Sequence, residues 1–496
     1  MQSPPDNSAD PRRWKALAVL ALIQFMLVLD ITVVNVALPR IQHDLAFSRA
    51  GLAWVVNGYV LAAGGLLLLA GRSADLLGRR RLFLIGVAVF AVASALCGAA
   101  VAPGMLVGAR FLQGAGEAMA APASLGLIAL LFPHPAERMK ALGIWGGIAG
   151  LGGTSGTVIS GALTDLASWR WIFFVNLPVA LFALLAVPRL VAESRMTRGA
   201  RRPRVAGALI GTAGLVAVVD GLLGAATHSW GSANVLVPLL AGAVLLVTMV
   251  RIEARSGAPL IPVEFFTNRT RVVTNFVTLF FSASFFSYFF LLTLFEQQVQ
   301  GYSPLRGGLS YLPFGISISA GIGVSTALMP RLGARAMLGT GFFGCAVGLA
   351  LASGIAPGSS YGAGILPGMI VLGLFSGVSF PAIGNSALHG VTGEDSSLAS
   401  GVQSAMQQIG GAVGLACLVT LALRHAAGQV HHGVPAAAAA VHGYVLAFRI
   451  GTVLLAAAGV IAFSLLDRVV VGRPDVVTEA GAGTLPDTLA PVPAGG

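Results

Sequence analysis

Gly71-Arg-Ser-Ala-Asp75-Leu-Leu-Gly78-Arg79-Arg80-Arg81 interrupts two apolar runs, residues 52–70 before it and 82–101 after it. Each run is close to the ~20 residues that an α-helix needs to cross a bilayer core. The interruption holds two glycines, one aspartate and four arginines counting Arg72. A short basic turn between two apolar helices marks a cytoplasmic loop, because positive charge is retained on that side.

The pattern repeats along the chain. Fourteen apolar segments are expected as transmembrane helices: 14–38, 52–70, 82–101, 105–132, 141–164, 171–190, 205–226, 233–250, 272–296, 305–328, 338–355, 360–386, 398–422 and 443–466. They are continuous rather than short and alternating, which excludes a β-barrel. With the N-terminus inside, the cytoplasmic segments carry 23 of the 30 lysines and arginines. Arg12, Arg13 and Lys15 lead this group, and Arg195, Arg198, Arg201, Arg202 and Arg204 form its densest later cluster. The external loops carry five: Arg40, Arg49, Arg170, Arg306 and Arg424. The expected topology therefore has both termini in the cytoplasm.

Composition agrees. Of 496 residues, 56% are hydrophobic and 10% charged, against about 25% charged in soluble domains. A soluble enzyme, a nucleic-acid-binding domain and a disordered chain are excluded. The net charge of +11 is accounted for by the cytoplasmic loops, so no nucleic-acid partner is expected. Cys97, Cys345 and Cys417 all lie in apolar runs and suggest neither a disulfide framework nor a metal site. Arg12-Arg13 precedes a long run with no small-residue cleavage site, so it starts the first helix rather than an export signal.

The expected organisation is a cytoplasmic tail (1–13), a six-helix bundle (14–190), a basic loop (191–204), two inserted helices (205–250), a linker (251–271), a second six-helix bundle (272–466) and a disordered cytoplasmic tail (467–496). Met329-Pro-Arg331-Leu-Gly333-Ala-Arg335 is a weaker echo of Gly71–Arg81, at the same place in the second bundle once the inserted pair is set aside. Two related bundles suggest a transporter with its site between them.

Several motifs now carry a resemblance. Asp75-Leu-Leu-Gly78-Arg79-Arg80 resembles the signature loop of the major facilitator superfamily. Leu29-Asp30-Ile-Thr-Val-Val-Asn35-Val-Ala-Leu-Pro39 resembles the first-helix motif of its fourteen-helix drug:proton antiporter branch. Arg110-Phe-Leu-Gln113-Gly114-Ala-Gly116, Ser168-Trp-Arg-Trp171-Ile-Phe-Phe-Val-Asn176-Leu-Pro178 and Gly301-Tyr-Ser-Pro304-Leu305 are similar to motifs of helices 4, 6 and 10 of that branch. The resemblance runs from about residue 14 to 466. It implies export of amphipathic compounds, driven by inward proton flow, from a multi-pass protein of the cytoplasmic membrane. Gly156 and Gly161 fall on the family's fifth-helix antiport motif, where Thr157 and Ser160 replace a proline and a glycine.

A charge near the bilayer centre costs ~2.5–3.5 kcal/mol on insertion scales, so such residues mark function. Asp30, Arg110, Glu117 and Asp220 are the candidates for proton coupling. Arg110, Gln113 and Glu117 share one face of a helix by spacing, and Asp30 or Glu117 can pair with Arg110. The substrate cavity is expected to use Asp30, Gln113 and Glu117. It also takes the stripe Asn275, Thr278, Ser282, Phe285, Phe289 and Glu296 of the ninth segment, with Gln403 and Gln407 of the thirteenth. Conformational gating is assigned to Gly71, Asp75, Gly78, Arg79, Arg80, Gly156 and Gly161. The histidines have no rigid ligand spacing, so no metal is expected.

The expected protein is a non-enzymatic secondary transporter, working as a monomer in a lipid bilayer. It has no cofactor beyond the proton as coupling ion. Its substrate is a small amphipathic or cationic molecule. Symport or facilitated uptake is the competing transport reading, and a non-transporting membrane sensor the remote one.

Overall fold

A computed structural model describes residues 12–193, 205–256, 259, 261, 265, 267–390 and 396–467. Every described element is helical, as a lipid environment demands, since a helix satisfies its backbone polar groups internally. The first bundle comprises α1 (Arg12–Asp44), α2 (Ala53–Leu77), α3 (Arg79–Gly98), α4 (Pro103–Leu131), α5 (Pro135–Leu166), the single turn α6 (Trp171–Phe174) and α7 (Asn176–Leu190). The inserted pair is α8 (Val205–Gly224) and α9 (Ala233–Ala254). The second bundle begins with α10 (Arg269–Leu294), which runs on into a π-turn (Phe295–Val299). It continues through α11 (Pro304–Ser310), α12 (Leu312–Ala352), a π-turn (Tyr361–Ile365), α13 (Leu366–Ala387), α14 (Ser396–His431) and α15 (Ala436–Leu465).

Local chemistry sets several starts. Pro103 and Pro304 occupy first-turn positions, where the missing N–H removes nothing. The side chains of Asn268 and Ser303 cap α10 and α11 by accepting from the Arg271 and Arg306 amides at 3.0 and 3.3 Å. Twelve described helical stretches are long and apolar enough to cross a membrane. One of them, Pro304–Ala352, covers 49 residues and divides at Gly333, whose φ of 79° and ψ of 160° are not helical.

Gly333 repeats Gly78. Gly78 joins α2 to α3 at φ 99° and ψ 132°. Both positions need a positive φ that a Cβ would strain. The weak echo at Met329–Arg335 thus becomes an explicit backbone repeat, one turn in each bundle.

Small residues allow the helices to approach closely, as expected where lipid supplies no hydrophobic drive between them. A Cβ on Gly116 would lie 2.7 Å from the Phe90 amide, joining α4 to α3. The inserted pair meets along Gly207, Gly211, Gly214 and Gly221, which face Glu253, Met249, Leu246 and Leu239. α8 then rests on both bundles, against α2 at Gly65 and Thr212 and against α14, where the Thr420 hydroxyl donates to the Leu222 carbonyl at 2.7 Å. The outward faces are apolar: Leu181, Phe182 and Leu185 on α7 and Val237, Leu240 and Val244 on α9 are more than half exposed. Such a band is a liability in water and a fitting surface in a bilayer.

At one end of the molecule the two bundles are joined. The Gln297 amide donates to the Val36 carbonyl at 2.7 Å, and Gln298 to the Gln42 side chain at 2.7 Å. A Cβ on Gly161 of α5 would lie 2.6 Å from the Pro304 carbonyl of α11. At the opposite end, a two-pronged Arg13–Glu137 ion pair (2.9 Å for each bond) fastens α1 to α5.

Candidate functional site

Five helices of the first bundle converge on Asp30. Its side chain is wholly buried, with Arg110 almost so. One carboxylate oxygen pairs with the Arg110 guanidinium. The other accepts from the Gln113 amide at 2.7 Å and the Asn176 amide at 3.0 Å. Gln113 also accepts from Arg110 at 2.8 Å and donates to Ser94 at 2.8 Å. Arg110 donates from Nε to the Val55 carbonyl at 2.9 Å, and its guanidinium lies 4.2 Å from the centre of the Tyr59 ring.

These partners come from α1 (Asp30), α2 (Val55, Tyr59), α3 (Ser94), α4 (Arg110, Gln113) and α7 (Asn176). A buried charge is tolerated only when paired and hydrogen-bonded, and here both oxygens of the carboxylate and several donors of the guanidinium are engaged. Spacing placed Arg110, Gln113 and Glu117 on one face of α4; of the two carboxylates expected as partners, Arg110 takes Asp30 rather than Glu117. Glu117 lies farther along the same face of α4, beside Tyr59. Its Oε2 has no hydrogen-bond partner, and neither does Oδ1 of Asn176.

Ser94, Asn176, Val55 and Tyr59 were not anticipated. Asn176 stood inside a quoted motif, but nothing in the motif singled it out from its neighbours. Val55 contributes a carbonyl, which no side-chain pattern reveals.

The remaining candidates lie elsewhere. On α10, Thr278 donates to the Thr274 carbonyl at 2.8 Å and Asn275 to the Arg271 carbonyl at 2.9 Å, both along their own helix. The hydroxyl of Ser282 is buried without a partner. Phe285 sits among Phe281, Phe289 and Phe380 with ring centres 4.9–5.9 Å away. Phe289 stacks on Tyr311 at 5.3 Å. Glu296, in the π-turn, is fully buried, accepts from Ser310 at 2.7 Å and leaves Oε2 unpartnered. It thus belongs to the joined end rather than to the Asp30 cluster. Gln403 and Gln407 are half-buried on α14, the helix that meets α2 where Gln408 packs on Gly64.

In the basic turn, Arg79 donates to the Gly126 carbonyl at 3.1 Å and Arg80 to the Val191 carbonyl at 2.9 Å, tying the turn to α4 and to the end of α7. Among the described residues, nothing lies within 4 Å of a Cβ placed on Gly71. The side chain of Asp75 and the basic cluster at 195–204 lie outside the described residues. On α5, Gly156 faces Thr32 of α1, and the Ser160 hydroxyl donates to the Val33 carbonyl of α1. Asp220 is on the exposed side of α8, away from the Asp30 cluster.

A helical membrane fold with a charged cluster buried inside its first bundle, taken with its relatives, defines a multi-pass membrane transport protein and not an enzyme. The family model described as Major Facilitator Superfamily matches residues 20–415, and the chain belongs to that superfamily. Similar relatives include the puromycin resistance protein pur8 of Streptomyces alboniger, 38% identical over 98% of this chain and 97% of its own. The lincomycin resistance protein of Streptomyces lincolnensis is 39% identical over 84% of this chain and 86% of its own. The cephamycin export protein CmcT of Amycolatopsis lactamdurans is 37% identical over 82% and 84%. Among solved structures, a bacterial homolog of the human lysosomal transporter Spinster, inward-facing and unoccupied, shares the fold with a TM-score of 0.65. It is 16% identical over 92% of this chain and 97% of its own. The chain is accordingly a multi-pass membrane protein, in bacteria one of the cytoplasmic membrane.

Proposed function

We propose that the protein is a proton-coupled exporter of small amphipathic organic compounds, antibiotics among them, working as a monomer by alternating access. The observation that carries the reading is the Asp30–Arg110 pair, sealed inside the first bundle. Asp30 can lose its charge by taking a proton, whereas an arginine side chain does not titrate in a protein. Arg110 has further contacts to Gln113, Val55 and Tyr59, so protonation of Asp30 would remove the ion pair that ties α1 to α4 while leaving Arg110 other partners. α1 packs on α5 through Thr32–Gly156 and Val33–Ser160, and α5 meets α11 at Gly161. A proton at Asp30 is thereby linked to the joint between the bundles.

The fourteen-crossing topology completes the proposal. A 49-residue helical stretch would extend ~73 Å at 1.5 Å per residue, more than twice a ~30 Å hydrocarbon core. Read as two crossings divided at Gly333, and with the 32 residues of α5 read as another, it would bring the twelve candidate spans to the fourteen proposed. The joined end then faces outward and the arrangement is inward-facing. The relatives named for puromycin, lincomycin and cephamycin support export of compounds of that size and character.

The test is transport of puromycin or lincomycin in proteoliposomes of fixed orientation under an imposed pH gradient. Asp30→Asn should insert normally and lose gradient-driven flux. Wild-type flux in that variant would remove Asp30 from coupling, and accumulation in the opposite direction would replace export with uptake.

A further inference from the structure

Glu296 is a buried carboxyl group that the Asp30 cluster does not use. It lies wholly buried in the π-turn that ends α10. Among the described residues it makes no ion pair, and its Oε2 has no hydrogen-bond partner. The ionisable groups around it are Tyr288 of α10, Arg306 of α11, Tyr311 and Tyr361. Arg306, the one cation, is exposed, and its guanidinium lies 4.0 Å from the centre of the Tyr302 ring. No charged group of α1, α5 or α15 bears on Glu296 among the described residues.

Ser310 carries information about the proton. Its hydroxyl oxygen stands 2.7 Å from Glu296 Oε1 and 2.7 Å from the Gly307 carbonyl. A hydroxyl has one proton to donate. Directed at Glu296, it leaves the oxygens of Ser310 and Gly307 in contact with no proton between them. Directed at Gly307, it requires the contact with Glu296 to be bridged by a proton of the carboxyl group. The protonated acid therefore satisfies both contacts, and it avoids an unpaired charge shielded from solvent.

The segments that enclose Glu296 also join the bundles. Its chain neighbours Gln297 and Gln298 bond to Val36 and Gln42 of α1. α11, close to Ser310, packs on α5 where Gly308 meets the Thr157 carbonyl. We propose that Glu296 is a second proton-binding site, and that its proton is the condition for sealing the joined end. On sealing, the carboxylate takes one proton from the adjoining solution, forming an O–H bond that it donates to Ser310. On parting, the carboxyl is solvated and returns that proton. An acidic exterior thus holds the joint shut. Only the source of the proton rests on the joined end facing outward; the site itself does not depend on coupling at Asp30.

The experiment uses the full chain in phospholipid nanodiscs, free of Cys97, Cys345 and Cys417. It is spin-labelled through His43→Cys and Ala356→Cys, exposed positions at the joined end of each bundle. Double electron–electron resonance reads the short-distance, sealed population. Between about pH 5 and about pH 9 its ratio to the open population should fall by up to about tenfold per pH unit, as one linked proton requires. Glu296→Gln, a neutral amide that still donates to Ser310, should stay sealed throughout. Asp30→Asn should keep the response, which separates this site from the Asp30 cluster. A sealed population indifferent to pH with Glu296 in place would overturn the proposal without reliance on the folding of a Glu296 variant. So would a response that survives in Glu296→Gln or disappears in Asp30→Asn.

Discussion

Arg110 is held from four directions: by the carboxylate of Asp30, the amide oxygen of Gln113, the Val55 carbonyl and the face of Tyr59. A lysine has no planar fork to reach these groups together, so Arg110→Lys should transport poorly even where it folds. Arg110→Ala leaves Asp30 charged and buried, a loss of ~3–5 kcal/mol for half of a buried pair. Thermal unfolding in detergent should fall accordingly, and Asp30→Asn together with Arg110→Gln should recover much of it; a double variant as unstable as Arg110→Ala alone would show that the pair is not the cause. The charged members of this cluster were legible because a charge inside an apolar run is conspicuous. Ser94 and Asn176 were not, since a neutral polar side chain in a span carries no message until its neighbours are known. Glu296 was legible as a charge within an apolar run but not as to place: its helical spacing aligned it with the α10 stripe, and the π-turn starting at Phe295 changes that register.

Among the elements, α5 shows how a substituted motif still performs its packing task. Gly156 and Gly161 allow α5 to touch α1 and α11, and the hydroxyl of Ser160, where the family has glycine, is spent on the Val33 carbonyl. Gly161→Val would press into the Pro304–Leu305 backbone. Overpacking of this kind costs ~1–3 kcal/mol, enough to shift the joined end toward opening by roughly tenfold. A cysteine introduced by Gln298→Cys, in a background lacking Cys97, Cys345 and Cys417, should then react faster with a membrane-impermeant thiol reagent than it does with Gly161 present. An unchanged rate would place the controlling contact elsewhere. The turn at Gly78 could be read from sequence because glycines and arginines crowd it. Its counterpart at Gly333 was only faintly visible, because Met329–Arg335 keeps the glycine and two arginines but not the acidic residue.

At the scale of the whole molecule, the all-helical, multi-spanning plan was legible from the long apolar runs. How the insert docks was not, because lipid-exposed and bundle-facing apolar residues look alike in sequence. The topology makes its own prediction. A cysteine at Ser229, between α8 and α9, should be labelled from outside intact cells, and one at Arg195 only after permeabilisation; the reverse would invert the orientation.

The grip of α14 on the insert has a further consequence. Thr420 and Arg424 hold the α8 end through the carbonyls of Leu222, Ala225 and His228. Every amino acid offers the same carbonyl, so this attachment is indifferent to the side chains of α8. A substitution on α8 that keeps its backbone path therefore leaves this attachment to α14 intact.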